Sequence, residues 1–423
     1  MTIHKRTPVL IGVGQVTDRW DGADIATAPS PVLLAIRAAR AALADTGAAD
    51  TVARGIDVVT VVRTNLDSVA GAKHPFGRHA NPPAAVAAAL GLNAPRTIYS
   101  HVGGDQPQAL VNEFAEAIFN NQAQTVLLAG AEAIAAMKLA LRKRLSLDWS
   151  GGDAQGMEDR GLGKRLLSDY ELRNGLGFPV QTYPLFENAL RKRLGLSRAE
   201  HRQRMSELWE GFSRVAANNP YAQFPVARSA AFLAEPSAEN YEIADPYLKW
   251  HVAQDAVNQG AAVILTSVEK ADQLGIPDHK RIYLHGYAQA ADKMVSERRD
   301  ISRSKAMSLV LDQALKAAGR SVGQITHFDL YSCFPCAVFL AAEALDLDWR
   351  TTVPTVTGGL PFFGGAGNNY SMHAIASMTE RLREDRGSYG LVLANGGYLS
   401  KEAAGVYSAT PAENWNVHSS LAI

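Results

Sequence analysis

The 423 residues contain two cysteines, no long apolar run and no excess of either charge, since 42 Lys and Arg balance 42 Asp and Glu. Two cysteines cannot build a disulfide framework and supply at most half of a tetrahedral zinc site. No stretch approaches the roughly 18 apolar residues of a membrane span. The N-terminal MTIHKRTPVLIGVGQV is too glycine-rich, and its apolar part too short, for a signal peptide. A cytoplasmic location is therefore expected. Charge neutrality argues against nucleic acid or an anionic membrane as the main partner. There is no P-loop, no His-Glu-x-x-His and no Gly-x-Ser-x-Gly, so three common enzyme classes lose their local signal. GVGQVT (12–17) begins like a dinucleotide fingerprint, but Thr17 stands at the third glycine position and no helix follows directly, so it reads as a tight turn at a strand end.

What is present is an ordinary globular composition, 47% hydrophobic and 20% charged. Its length suggests roughly two to four structural units. Three zones separate. The first alternates short apolar runs with alanine-rich helical stretches: PVLIGV (8–13), PVLLAIRAARAALADTG (31–47), IDVVTVV (56–62), TIYSHV (97–102), PQALVNEFAEAIFNNQ (107–122) and TVLLAGAEA (125–133). Continuous rather than alternating apolar strands point to a parallel sheet covered on both faces. The second zone, 138–245, is richer in glycine and charge, with a basic helix expected around 190–212; it reads as an insertion. The third zone repeats the order of the first: RIYLHGYAQA (281–290), SKAMSLVLDQALKAAG (304–319), ITHFDLYS (325–332), CAVFLAAEALDL (336–347), NNYSMHAIASMTERLRED (368–385) and GLVLANGG (390–397). This is a duplicated α/β core interrupted by an insertion. The expected division is 1–137 plus about 246–275 for the N-terminal half, 138–245 for the insertion and 276–423 for the C-terminal half.

Four segments carry chemistry. In HVGGDQPQ (101–108), Gly103 and Gly104 permit close backbone approach and Asp105 suits a helix cap, while free amides and the helix dipole could hold an anion or a carbonyl oxygen. Capping alone explains Asp105 equally well. Cys333-Phe-Pro-Cys336 follows a strand and opens a helix, whose positive end would favour a thiolate at Cys333. Structural cysteines and a disulfide-exchange pair are the competing readings. TGGLPFFGGAGNNYSMH (357–373) places Gly364, Gly365, Asn368, Asn369, Tyr370 and His373 in a loop entering a helix, as an oxyanion pocket requires. ANGGYLSK (394–401), with Asn395 and Gly396, is a second glycine-containing strand exit.

These segments resemble the thiolase superfamily, and within it the sterol-carrier-protein-type thiolases and thiolase-like proteins labelled acetyl-CoA acetyltransferase. The resemblance is carried by VLIGVGQ (9–15), GGDQPQALVN (103–112), LLAGAEA (127–133), AVNQGAAVIL (256–265), DLYSCFP (329–335), TVTGGLPFFGGAGNNY (355–370) and LANGGYLSK (393–401), which span nearly the whole chain. It implies two similar βαβαβαββ halves in a layered α/β/α/β/α arrangement with an inserted loop domain, and a homodimer formed through the strand matching TIYSHV. It also implies a coenzyme A thioester as substrate, with no resident cofactor and no metal. The loop domain of the family covers coenzyme A, which makes Arg142, Lys143, Arg144, Arg191, Lys192 and Arg193 the expected phosphate contacts.

The family's catalytic groups are missing. The nucleophilic cysteine position falls at Gly103, the histidine of the Gly-His-Pro loop at Gly365 and the second cysteine at Ala394. The Asn/His-x-x-Phe motif becomes Tyr331-Ser-Cys-Phe334. Ordinary thiolase activity is excluded on this reading, and three functions remain. One is an acyl-CoA-dependent acyltransferase in which Cys333 accepts the acyl group, His373 is the base, and Asn368, Asn369 and loop amides hold the oxyanion. Another is carbon–carbon bond chemistry without an acyl-enzyme, as in thiolase-like aldolases that work with a small OB-fold partner, with Tyr331 or Tyr370 moving the proton. The last is a non-catalytic subunit that binds acyl-CoA or supports a partner.

Overall fold

The computed structural model describes residues 3–412, 414–417 and 421–422. Its strands are β1 (Pro8–Thr17), β2 (Val58–Val61), β3 (Arg96–Tyr99), β4 (Thr125–Ala133), β5 (Met157–Asp159), β6 (Glu242–Ala244), β7 (Tyr247–Leu248), β8 (Asn258–Ser267), β9 (Ile282–Ala291), β10 (His327–Leu330), β11 (Tyr389–Gly396), β12 (Lys401–Ser408) and β13 (Leu421–Ala422). Eleven of them form one sheet in the order β10-β11-β12-β9-β1-β8-β4-β2-β3-β5, with β13 beside β9. The sheet is mixed rather than parallel. In the first half β1 and β4 flank β8 antiparallel, and β2 and β3 continue parallel from β4. In the second half β9 and β11 flank β12 antiparallel, and β10 continues parallel from β11. The returning strand makes the difference: only the short turn 397–400 separates β11 from β12, and so short a link permits antiparallel pairing alone.

The halves repeat one another and join through β1 and β9, where only Val9–Tyr283 and Leu10–Ile282 pair. Two helices, Gln106–Phe119 and Tyr370–Glu384, each touch strands of both halves. In the second of these, every residue from Tyr370 to Thr379 is buried, as befits a helix with protein on all sides. Helix Pro31–Asp45, with its cap from Ser30 and proline at its start, covers β1, β8 and β4, and helix Lys305–Ala318 covers β9 and β12. The glycines of GVGQVT lie inside β1, not at its end. A Cβ on Gly12 or Gly14 would collide with the carbonyl oxygens of Ala42 and Ala38, so they let helix Pro31–Asp45 approach the strand.

The insertion forms two helices where one basic helix was expected. Pro179–Arg193 and Arg198–Ala217 are separated at Gly195, whose φ of 70° ends the first, while a Ser197–Glu200 capping box begins the second. Tyr183, Phe186, Trp209 and Phe212 from these helices pack into the same core as Phe334 and Cys336. The insertion also sends β5 to the outer edge of β3. Arg63 pairs with Asp159, Arg96 with Glu158 at 2.8 Å, and Arg160 forks onto Glu113 at 2.7 Å, so three ion pairs hold that strand. The edge implied for pairing with a second copy is thus occupied by the chain itself. Among the described residues no helix is long and apolar enough to cross a membrane, and no group of three or more His, Cys, Asp and Glu is placed to hold a metal ion.

Candidate functional site

Three loops meet where the halves join: residues 100–105 after β3, 331–334 after β10, and 396–400 between β11 and β12. Glycine makes the meeting possible. A Cβ on Gly104 would collide with the Tyr331 hydroxyl and the Asn395 carbonyl, and one on Gly103 or Gly396 would collide with the Asp105 carboxyl. Gly103 has a φ of 146°, which a side chain would strain as well. Ser371 Oγ donates to Gly104 O at 3.0 Å, which brings the start of helix Tyr370–Glu384 beside that of Gln106–Phe119. Two helix N-termini therefore converge on one polar chamber.

Asp105 is not the cap it could have been. It makes no capping bond; its side chain is buried, Oδ2 accepts from Gln106 Nε2 at 3.1 Å, and Oδ1 has no partner among the described residues. Burial raises its pKa, only partly opposed by the neighbouring Lys401. Lys401 is itself buried and donates to Val102 O at 2.7 Å.

Cys333 lies just before helix Pro335–Ala344 and is 9% exposed. Asn395 Nδ2 reaches its Sγ at 3.8 Å and the Tyr183 hydroxyl at 3.1 Å, while that hydroxyl donates to Gly397 O at 3.2 Å. The helix N-terminus does not lower the pKa of the Cys333 thiol. Burial pushes the thiol up to about 12, with the Tyr183 hydrogen bond pulling the other way. Cys336 is fully buried, both cysteines are free, and its amide donates to Glu187 Oε2 at 2.8 Å. The same Glu187 accepts from Tyr247 Oη at 2.9 Å and meets His201 Nε2 at 2.7 Å, a closed network beneath the chamber.

Tyr331 is 6% exposed and its hydroxyl lies against Gly104. Burial holds its pKa well above the ordinary tyrosine value, with Cys333, Asp105 and Glu402 acting in the same direction. It is therefore a neutral phenol. Tyr370 packs edge-on behind it at 5.5 Å, and its hydroxyl shares a 2.6 Å hydrogen bond with Thr357 Oγ1 and donates to Asp329 Oδ1 at 3.1 Å. Asp329 also accepts from Thr355 Oγ1 and from the amides of Val356 and Thr357, so Tyr370 belongs to a satisfied buried cluster.

The other expected residues lie elsewhere. His373 Nδ1 meets Gln15 Oε1 at 2.9 Å, its Nε2 has no partner among the described residues, and burial drives its pKa down to about 3, so the ring is neutral. Asn368 donates to Arg63 O at 2.8 Å and Ser68 Oγ at 2.7 Å, and Asn369 donates to Gly130 O at 2.7 Å, tying their loop to the first half. Gly364 backs onto Gln259, and the Gly365 amide donates to Gln254 O at 2.8 Å. Of the basic residues, Arg142, Lys143, Arg144 and Lys192 are exposed, and Lys143 donates to Asp21 O at 2.7 Å. Arg191 bonds Asn188 and Leu196 O of its own helix end, and Arg193 bonds Glu343 at 2.6 Å.

The structure adds a residue that the sequence reading passed over. Glu402 stands opposite Asn395 in the β11–β12 register, is 1% exposed, and burial and Asp105 raise its pKa well above the usual carboxyl range, with Arg298 opposing. The sequence signal was one acid beside the apolar run AAGV, directly after the glycine turn, whereas its pairing with Asn395 comes from the strand register.

No family model matches the chain. Among solved structures, a monomeric SCP2-thiolase like protein type 1 from Mycobacterium smegmatis shares 40% identity and a TM-score of 0.81, over 97% of this chain and 79% of that one. A complex titled Ltp2-ChsH2(DUF35) aldolase shares 20% identity and a TM-score of 0.65, over 95% and 98% of the two chains. A probable acetyl-CoA acetyltransferase from Dictyostelium discoideum is 30% identical over 143 residues, which are 33% of this chain and 32% of that protein. The match thus spans about a third of the length of that curated relative.

Proposed function

Because the chain belongs to the SCP2-thiolase-like proteins, we propose that it acts on a coenzyme A thioester, and that it makes or breaks a carbon–carbon bond by proton transfer rather than through an acyl-cysteine. One observation carries this reading. Where the resemblance puts a nucleophilic cysteine there is Gly103, its side-chain space taken by the Asp105 carboxyl, and the Tyr331 phenol lies against the next residue. A neutral phenol is a proton donor. Set beside the α-carbon of a thioester enolate, Tyr331 would protonate it during cleavage, and its tyrosinate would take the α-proton back in the reverse, bond-forming direction. The two helix N-termini would stabilise the enolate oxygen, since their dipoles are fixed before the reaction begins. Among the described residues Cys333 has neither a cation nor an imidazole as a hydrogen-bond partner, and burial raises its thiol to about 12.

Coenzyme A phosphates would meet the exposed Arg142, Arg144 and Lys192. With β5 along β3, this reading needs no second copy of the chain, and a small partner protein would have to dock elsewhere.

The test is incubation with β-hydroxyacyl- and β-ketoacyl-CoA substrates, with chromatographic detection of the carbonyl product and peptide mass analysis of Cys333. Cleavage that survives Cys333→Ala and falls at least a hundredfold in Tyr331→Phe is the expected result. An acyl group on Cys333 would sink the proposal.

A further inference from the structure

We infer that Glu402 is the carboxyl that exchanges a proton with the β-oxygen of the substrate; this rests on the carbon–carbon bond reading above. The placement follows from strand register. Residues directly opposite in an antiparallel pair project to one face, with Cβ atoms about 4.5–5.5 Å apart. Glu402 is opposite Asn395, and Asn395 touches Cys333 and Tyr183, so Glu402 lies on the sheet face that Asn395 presents to the loop junction. On its other side it pairs with Ala290, which lines a solvent-connected cleft together with Asp105, Gln106, Lys401 and Glu402 itself.

Its hydrogen-bonding state sets it apart. Neither carboxyl oxygen of Glu402 has a partner among the described residues. The buried Glu187 and Asp329 are instead surrounded by donors. A buried carboxyl without partners weakens a fold, so packing gives no reason for it. Asn395 Oδ1 and Asp105 Oδ1 are likewise buried without partners. Three side chains therefore present unpartnered oxygens where the loops meet, and a substrate hydroxyl can satisfy them. The titratable and charged neighbours of Glu402 are Asp105 from the Gly103–Gly104 loop, Asp292 and Arg298 after β9, and Tyr331 and Cys333 after β10.

In the cleavage direction the Glu402 carboxylate takes the β-hydroxyl proton. The β-oxygen becomes a carbonyl, the Cα–Cβ electron pair moves into the thioester enolate, and Tyr331 protonates Cα. The tyrosinate then recovers the proton that Glu402 gained. The products are a ketone or aldehyde and a shorter acyl thioester, with no co-reactant. In the bond-forming direction Glu402 is the acid, by microscopic reversibility.

The experiment compares wild type with Glu402→Gln and Glu402→Asp, using β-hydroxyacyl-CoA for cleavage and the shorter acyl-CoA in deuterium oxide for exchange at Cα. The expected result is a cleavage kcat at least a hundredfold lower in Glu402→Gln, partial recovery in Glu402→Asp, KM within threefold and Cα exchange retained. Cleavage within threefold of wild type in Glu402→Gln overturns the assignment and leaves the proposed function standing. Parallel loss of cleavage, exchange and thioester binding also overturns it, because that pattern is structural. If wild type neither cleaves nor exchanges, the proposed function itself fails and this assignment goes with it.

Discussion

Alkylation of Cys333 tests the chemistry of the chamber most directly. A thiol at about 12 carries roughly a thousandfold less thiolate at pH 8 than one at the ordinary 9.0, and the thiolate is the reacting species. With Cys333 also 9% exposed, iodoacetamide should label it at least about a thousandfold more slowly than an unfolded peptide spanning residues 325–345. The native protein is treated at pH 8, quenched at intervals, digested, and the carbamidomethylated fraction of each cysteine followed by mass spectrometry. Cys336, fully buried and beside the Glu187 carboxylate, should be slower still. Labelling should rise with pH well beyond 9, with no plateau near neutrality. If Cys333 reacts within tenfold of the peptide, or saturates below pH 8, its environment stabilises thiolate and an acyl-cysteine is chemically available.

Glu187→Ala would strand the Tyr247 hydroxyl, the Cys336 amide and the His201 ring. Urea unfolding should show a loss of about 3–5 kcal/mol, the cost of breaking a buried network by removing one member. Asp45 accepts from the Val13 amide and pairs with Lys280 and Arg383. Burial raises its pKa, but Arg383 and Lys280 outweigh that and leave it lowered. Its stabilisation is therefore present above the unfolded carboxyl value and lost as pH falls through the lower folded one. The difference in Tm between Asp45→Asn and wild type should be full at pH 7 and shrink below about pH 4. Glu158→Pro should detach β5 and uncover β3; light scattering should then show mass rising with protein concentration, and a constant mass would mean that β5 is not what guards that edge.

Much of the fold could be read directly. The apolar run 125–133 coincides with β4, and the expected helices 304–319 and 368–385 become Lys305–Ala318 and Tyr370–Glu384. Period and capping are local properties, and local properties survive folding. What escaped was set by distant packing. Gly12 and Gly14 resembled a turn because sequence cannot show a helix pressing on the middle of a strand. Asp105 resembled a cap because nothing local tells that Gly103 and Gly396 leave it a pocket. The basic 190–212 stretch was one helix by composition, and Gly195 followed by Ser197 and Glu200 was the overlooked break. For Cys333 the sequence left a reactive and a structural thiol open, because the dipole argument counts only the helix, whereas burial of the thiol depends on distant packing. Glu402 required strand register, which emerges only when two strands are set side by side.

The strand β5 has a further consequence. A sheet edge completed by another molecule loses its neighbour on dilution, whereas one completed by a tethered segment has an effective concentration set by the tether. Residues 134–156 supply that tether between β4 and β5, so the chamber behind β3 keeps its outer wall at any protein concentration. Specific activity should then be independent of enzyme dilution.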